Sequence, residues 1–454
     1  MSSAIEHFHH LIEADPQAAI RDLERLDAEL FARNICFDGR AMPVHLRPHF
    51  FSPAARAALE SAAQTVLAAA LKAEKGVFGG DAERLYDALG VSDAERELLR
   101  IDPGYAEHVV WTRLDAFPGV GDDDVRFLEF NHDAPAGIGY SSVMSEIFLE
   151  SEIMRRFQEK FAVTGHDSRP QLLTALLTAY RAFGGREKPN IAIVDWQGVR
   201  TSSDFEILRA YFEAAGYAAV IADPRALEMR DGKLHAGDFR IDLVYRRVVT
   251  SELLTKLDET KPFVTAYRTR AACFINSFRC RVSENKAFMA FLTDPAHLSF
   301  LTESERAALM RHLPWTRQVA EGKTDVAGEA TDLIPYIATN RAELVLKPAD
   351  AYGGSGVFVG SETDDATWEN ALRAALASDA RWVVQRRVAT PTEPYPIRVG
   401  DGFEFRPMKF NVNPFYLGDR MCGAVTRTST DAVINVSAGG GSIPTFVVAV
   451  REAA

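Results

Sequence analysis

Leu344-Val345-Leu346-Lys347-Pro348 runs through three residues into Tyr352-Gly353-Gly354-Ser355-Gly356. An apolar strand thus ends on a lysine and opens into a glycine loop. Neighbouring glycines let backbone N–H groups turn toward an anion with no side chain in the way. Lys347 would set a cation beside them. The spacing is neither GxxxxGK[ST] nor the GxGxxG that covers phosphates in protein kinases. Downstream, Trp382-Val383-Val384-Gln385-Arg386-Arg387-Val388 is an apolar strand meeting polar residues, an end whose backbone could pair with the edge of a flat base.

A second cluster lies far upstream. Arg113-Leu114-Asp115 is followed by Glu129-Phe130-Asn131, two strand-like runs joined by the Gly/Asp-rich turn Pro118 to Asp124. Residues two apart on a strand face the same side. Glu129 and Asn131 can therefore address one ion, with Asp115 as a second carboxylate and Arg113 beside it. Magnesium takes oxygen ligands and usually keeps water and substrate phosphates. Arg113 would sit where charge builds on a transferring phosphoryl group. The residues alone leave two plainer readings open: a solvated sheet edge for the acids, and a hairpin turn with a surface lysine for the glycine loop.

Around these clusters the pattern is mixed. Residues from about Ile5 to Arg100 read as mainly helical, with starts at Ser52-Pro53 and Ser92. Gly139 to Phe161 reads as one helix. Asn190 to Ile241 is a strand–helix–strand unit, with Ile191 to Val194, Ser202 to Ala215 and Tyr217 to Ile221, and a further strand at Ile241 to Tyr245. It lacks GxGxxG, so it offers no dinucleotide site. Asn285 begins a helix through Leu292, and Glu303 to Leu313 is another. Phe403 to Val450 is largely β.

The chain has 454 residues, 51 basic and 63 acidic, with a formal net charge of -12. That balance argues against nucleic acid as a partner. No apolar run is long enough to span a bilayer, and Met1 to Pro16 is not a secretory signal. Cys36, Cys273, Cys280 and Cys422 form no CxxC pair, so a zinc ribbon is not indicated and a reduced, cytoplasmic setting is expected. Ser202-Ser203-Asp204 reads as a helix cap. His132 and Asp133 either touch substrate or shape the loop. Arg246, Arg247, Arg268, Arg270, Arg279 and Arg281 form a scattered basic stretch whose default is the surface.

Taken together, the motifs resemble the circularly permuted ATP-grasp family, the group that includes glutathionylspermidine synthase-like ligases. The usual ATP-grasp order puts the lysine and glycine loop first, whereas here the acids precede them. The resemblance covers roughly Trp111 to Val448, and it includes Val425-Thr426-Arg427, Ile434-Asn435-Val436-Ser437 and the run Gly439 to Ser442. It implies an α/β (α+β) ATP-grasp fold with ATP between two β layers and a Rossmann-like pre-ATP-grasp domain. Asp115, Glu129 and Asn131 would hold Mg2+, with Arg113 as the catalytic cation. Lys286 and Lys347 would be the nucleotide lysines, Tyr352 to Gly356 the mobile loop, and Gln385, Arg386, Arg387 and Val388 the hinge at adenine.

The expected divisions are a helical region at 1–105, a magnesium-binding part at 106–165, the Rossmann-like domain at 166–275, a lid at 276–395 and a β segment at 396–454. The implied activity is carboxylate–amine ligation through an acylphosphate, on an amino acid, peptide or similar small acid. Nucleotide binding without turnover and phosphotransfer stay open as alternatives. Neither the substrates nor the oligomeric state follow from the sequence, and no segment with an amidase-type cysteine is found.

Overall fold

Strands remote in the chain lie side by side in the largest sheet. The structure, a computed structural model, describes residues 1–119, 124–431, 433–434 and 440–451. The central residues of the Pro118–Asp124 turn and Asn435 to Gly439 of the tail motif therefore lie outside the described residues. The eight-stranded sheet runs His49–Phe51, Gly441–Val450, Arg420–Ser429, Gly402–Leu417, Trp111–Pro118, Val125–Asn131. Thr392–Val399 pairs with the Gly402 strand and Phe161–Thr164 with the Gly441 strand. Segments from both ends of the chain thus build the sheet that carries the acids.

A four-stranded parallel sheet, ordered Cys273–Ile275, Leu243–Arg246, Ile191–Val194, Ala219–Ala222, forms the Rossmann-like unit. Its central strand Ile191–Val194 is buried on both faces: Ile191 and Ile193 pack into one apolar cluster, Ala192 and Val194 into the other. That alternation is what a two-sided strand requires. A third layer is antiparallel: Thr316–Gln318, Trp382–Arg386, Leu344–Pro348, Phe358–Val359. Its outer face packs Leu344, Leu346 and Val384 against Trp368 of the helix Asp365–Ala377. Ser52 and Ser92 cap their helices as read, accepting the N–H groups of Ala55 and Glu95.

Three readings need correction, and a fourth holds with an addition. The span Gly139 to Phe161 is two helices, Ile138–Leu149 and Glu152–Phe157, followed by a strand; Ser151 ends the first and caps the second. Ile241 to Tyr245 is also two elements. Phe239–Ile241 joins a small antiparallel sheet, and only Leu243–Arg246 enters the parallel one.

The helix read as beginning at Asn285 begins instead at Phe288 and runs to Leu292, with a separate short helix, Arg281–Glu284, before it. Asn285 is extended there, and the Lys286 N–H bonds to the Ala349 carbonyl at 3.0 Å. A tertiary bond thus outweighs local helix propensity. Finally, the mainly helical first hundred residues also supply the strand His49–Phe51, which pairs in parallel with Gly441–Val450.

Candidate active site

The register of the two acid strands sets Asp115 opposite Glu129 and Arg113 opposite Asn131. A register shift follows Asp115, between it and Ala116. The Asn131 amide nitrogen donates to Asp115 Oδ1 at 3.0 Å and to the Arg113 carbonyl at 3.1 Å. Its Oδ1 therefore remains the atom available to a cation. Arg113 Nε lies 3.2 Å from Asp115 Oδ1, and Arg427 Nη1 lies 3.4 Å from Oδ2. Burial alone would raise the Asp115 carboxyl, but Arg113 and then Arg427 outweigh it and hold it below its ordinary value.

Arg427 comes from the strand Arg420–Ser429 and stands opposite Asn411 in the register. Both line the same cavity as the acids. Neither was given a site role from sequence. The one available signal for Asn411 is its alternation with Asn413 inside an apolar strand.

The antiparallel layer closes over this sheet. Lys347 Nζ donates to Gln385 Oε1 at 3.0 Å and to the Leu128 carbonyl at 3.3 Å, beside Glu129. Burial pulls the Lys347 ammonium down to about 8, with Glu129 working against the shift and Lys286 with it. Lys286 Nζ sits 3.4 Å from Glu129 Oε2 and donates to the Ala351 carbonyl at 2.8 Å. Both lysines thus reach across to the acid strand that ends in Asn131.

A cavity of about 470 Å³ lies between the layers. Every site residue read from sequence lines it except Gly356, which turns the chain at a φ of +69° against Pro348. The late loop and the early acids, remote in the chain, share one space. Two roles shift in detail. The Gln385 amide serves Lys347 and donates to Thr316 Oγ1 at 3.0 Å. The Arg386 and Arg387 N–H groups are engaged by the Trp315 and Glu343 carbonyls at 2.8 and 2.7 Å. Of the residues at this strand end, Val388 is left to offer an N–H to a base.

The basic stretch is not a surface feature throughout. Arg246 and Asp133 form a fully buried pair at 2.6 Å, with Thr250 donating to the same carboxylate. Asp133 therefore shapes the loop. His132 is buried beside it, and desolvation pulls its imidazole down to about 3. Arg268 and Arg270 are exposed, paired with Glu97 and Asp102. Asp204 likewise caps a helix other than its own, accepting the N–H groups of Gly137 and Tyr140 at 3.2 and 3.0 Å.

Arg281 is 3% exposed and gathers four partners: Glu95 at 3.0 Å, Glu284 at 3.6 Å, Asp350, and the Tyr352 hydroxyl. Glu284 in turn accepts the His132 N–H at 2.6 Å and the Asp133 N–H. One guanidinium therefore joins the first hundred residues, the glycine loop and the acid strand. Arg281→Met should leave buried carboxylates without a counter-charge, at a cost of about 3–5 kcal/mol. The melting temperature should fall clearly, and adding Glu95→Gln should restore part of it. A single variant that melts like the parent would refute this reading.

Among the described residues no group of three or more His, Cys, Asp or Glu could hold a metal. That excludes a zinc-type cage from the described part. Two carboxylates and an amide oxygen do suit magnesium, which fills its octahedron with waters and phosphate oxygens.

The chain has relatives among known proteins. Residues 95–429 match the family described as circularly permuted ATP-grasp type 2, and the chain belongs to that family. A Frankia casuarinae protein whose name proposes a glutamate–cysteine ligase is 23% identical, over 72% of this chain and 37% of its own length. An uncharacterized Synechocystis protein is 26% identical over 71% of this chain and 65% of its own. The chain thus spans less than two thirds of these relatives. In fold it is similar to a glutathione synthetase-like effector from Globodera pallida, with a TM-score of 0.63, 12% identity, and coverage of 95% and 98% of the two chains. Among the described residues no helix is long and apolar enough to cross a membrane.

Proposed function

We propose that this protein is an ATP-dependent ligase that joins a carboxylate to an amine through an acylphosphate, on an amino acid, peptide or similar small acid. One observation carries the reading: two lysines and two arginines surround a pair of carboxylates and an amide inside a single cavity. The family and the name of the Frankia relative support it. A site with this surplus of cations suits a polyphosphate that brings its own divalent ion.

Asp115, Glu129 and Asn131 would hold magnesium, which when bound draws charge from the β- and γ-phosphate oxygens. Lys286 and Lys347 bind the phosphates from the lid side. Val388 offers its N–H to the base. The glycine loop covers the phosphates and keeps water from the reactive intermediate. A carboxylate oxygen of the acid attacks the γ-phosphorus, and the bond to the β-phosphate breaks with its electrons leaving on ADP. Arg113 meets the charge that gathers on the transferring group. The amine then attacks the acyl carbon and expels phosphate, losing its proton to the released phosphate or solvent. No enzyme nucleophile takes part, so the protein contributes position and charge.

The test is ADP release measured with and without candidate acids and amines. Release that needs both supports the ligase. A phosphorylated product without condensation would make it a phosphotransferase. Nucleotide binding without turnover on any panel would make it a binding protein.

A further inference from the structure

The cavity lining reaches beyond the acids to Phe37, Met42, Tyr140, Thr201 and Val249, residues outside the antiparallel lid layer that line what we call its second arm. It can be followed by contacts that start at the acids. Arg113 Nη1 donates to the Ala136 carbonyl at 3.1 Å. The next residues, Gly137 and Tyr140, bond to Asp204 of the helix Ser202–Ala214. Ser203 of that helix donates to the Cys36 carbonyl at 2.8 Å. Cys36 opens the hairpin Cys36–Phe37/Arg40–Ala41. Asp38 and Gly39 form its turn at φ values of +54° and +74°, the Asp-Gly pair that suits a tight two-residue turn. The turn fixes Phe37, and Phe37 and Met42 line the cavity together with Tyr140, Thr201 and Val249.

The arm's two ends differ in charge. At the acids, Arg113 and Arg427 share the single carboxylate of Asp115, leaving one positive charge in excess. Glu129 is matched by Lys286 and Glu284 faces Arg281. Beyond the Ala136 carbonyl, the lining residues of the described arm carry no charge. Neither nearby arginine lines the cavity: Arg246 is paired with Asp133, and Arg247 packs over the Phe205 ring at 5.4 Å with its Nε and Nη1 buried and without a hydrogen-bond partner. A charged group placed there would lose its water and meet no opposite charge among the lining residues.

Resting on the ligase reading, we infer that this arm receives the acid to be activated, and that it takes a monocarboxylate with an apolar body, selected by Phe37 and Met42. The carboxyl group lies at the arginines, and the remainder lies against the hairpin. A dicarboxylate such as glutamate is disfavoured, because its second charge would fall on the uncharged wall.

Hydroxylamine tests this without knowledge of the natural amine, since it traps an acylphosphate as a hydroxamate. The full chain would be supplied with magnesium, ATP and hydroxylamine. Hexanoate and 3-phenylpropanoate would be compared with glutamate, succinate and 6-aminohexanoate. The apolar acids should be at least about tenfold better in kcat/KM, the scale set by one apolar contact in a pocket. Phe37→Ser should remove most of that advantage and Phe37→Tyr should keep it, with KM for ATP within about twofold in both as the control for folding. A charged acid as the best substrate, or a preference untouched by Phe37→Ser, would overturn the inference and leave the ligase standing. Absence of hydroxamate with every acid would overturn both.

Discussion

Glu129→Gln is expected to lower turnover by at least about a hundredfold while leaving the fold intact. Bound magnesium contributes several kcal/mol of charge stabilisation, and each 1.4 kcal/mol or so is tenfold in rate. Glutamine keeps the shape and loses the charge that would hold the cation. The fold should not notice. Glu129 is partly exposed, with 29% side-chain exposure, and it pairs with Lys286 at 3.4 Å. Pairs of that kind are worth only about 0–1 kcal/mol. The measurements are steady-state ADP release and a melting curve on the same preparation. Parent-like turnover would remove Glu129 from the metal site. A large drop in melting temperature would mean that its role is structural.

Asp115 should behave differently, and the contrast shows what strand sequence can and cannot reveal. The alternation in Glu129-Phe130-Asn131 is enough to place two oxygen ligands on one face. It does not show that Asp115 stands opposite Glu129, because register depends on a turn and on the shift after Asp115. Nor does it show that Asp115 is locked between two arginines, one of them from the far end of the chain. Asn411 and Arg427 were missed as site residues for the same reason: they become neighbours only through cross-strand pairing.

The glycine loop and Lys347 were legible because a short apolar strand and a glycine run are local signals. The break at Lys286 was not, because it is imposed by the bond to Ala349 on a remote segment. The basic stretch before it looked like surface by composition. Arg246 and Arg281 are instead buried, which their sequence neighbours give no means of knowing, since the partners Asp133, Glu95 and Asp350 come from elsewhere. Phe37 and Met42 are likewise ordinary apolar residues until the hairpin is seen against the helix Ser202–Ala214.

Lys347→Ala should weaken ATP binding by roughly ten- to a hundredfold, the loss of one charge-assisted contact worth about 1.5–3 kcal/mol. The pH dependence is the sharper test. Burial brings the Lys347 ammonium down to about 8 in the free protein, well below the ordinary value of a lysine. The protonated form is the one that binds phosphate. ATP affinity should therefore be flat below pH 7 and fall as pH rises through 8, approaching tenfold per unit. Above pH 8, binding should take up a proton, because the phosphates restore the charge that burial disfavours. The nucleotide's own phosphates are already ionised in that range and add no slope. Lys347→Arg keeps its charge throughout, so its affinity should be independent of pH even where its geometry makes it weaker. Isothermal titration in two buffers of different ionisation enthalpy, from pH 7 to 9.5, reads both the affinity and the proton uptake. A flat parent profile with no uptake would mean that Lys347 does not touch the phosphates. The two halves of the site would then share a cavity without sharing a ligand.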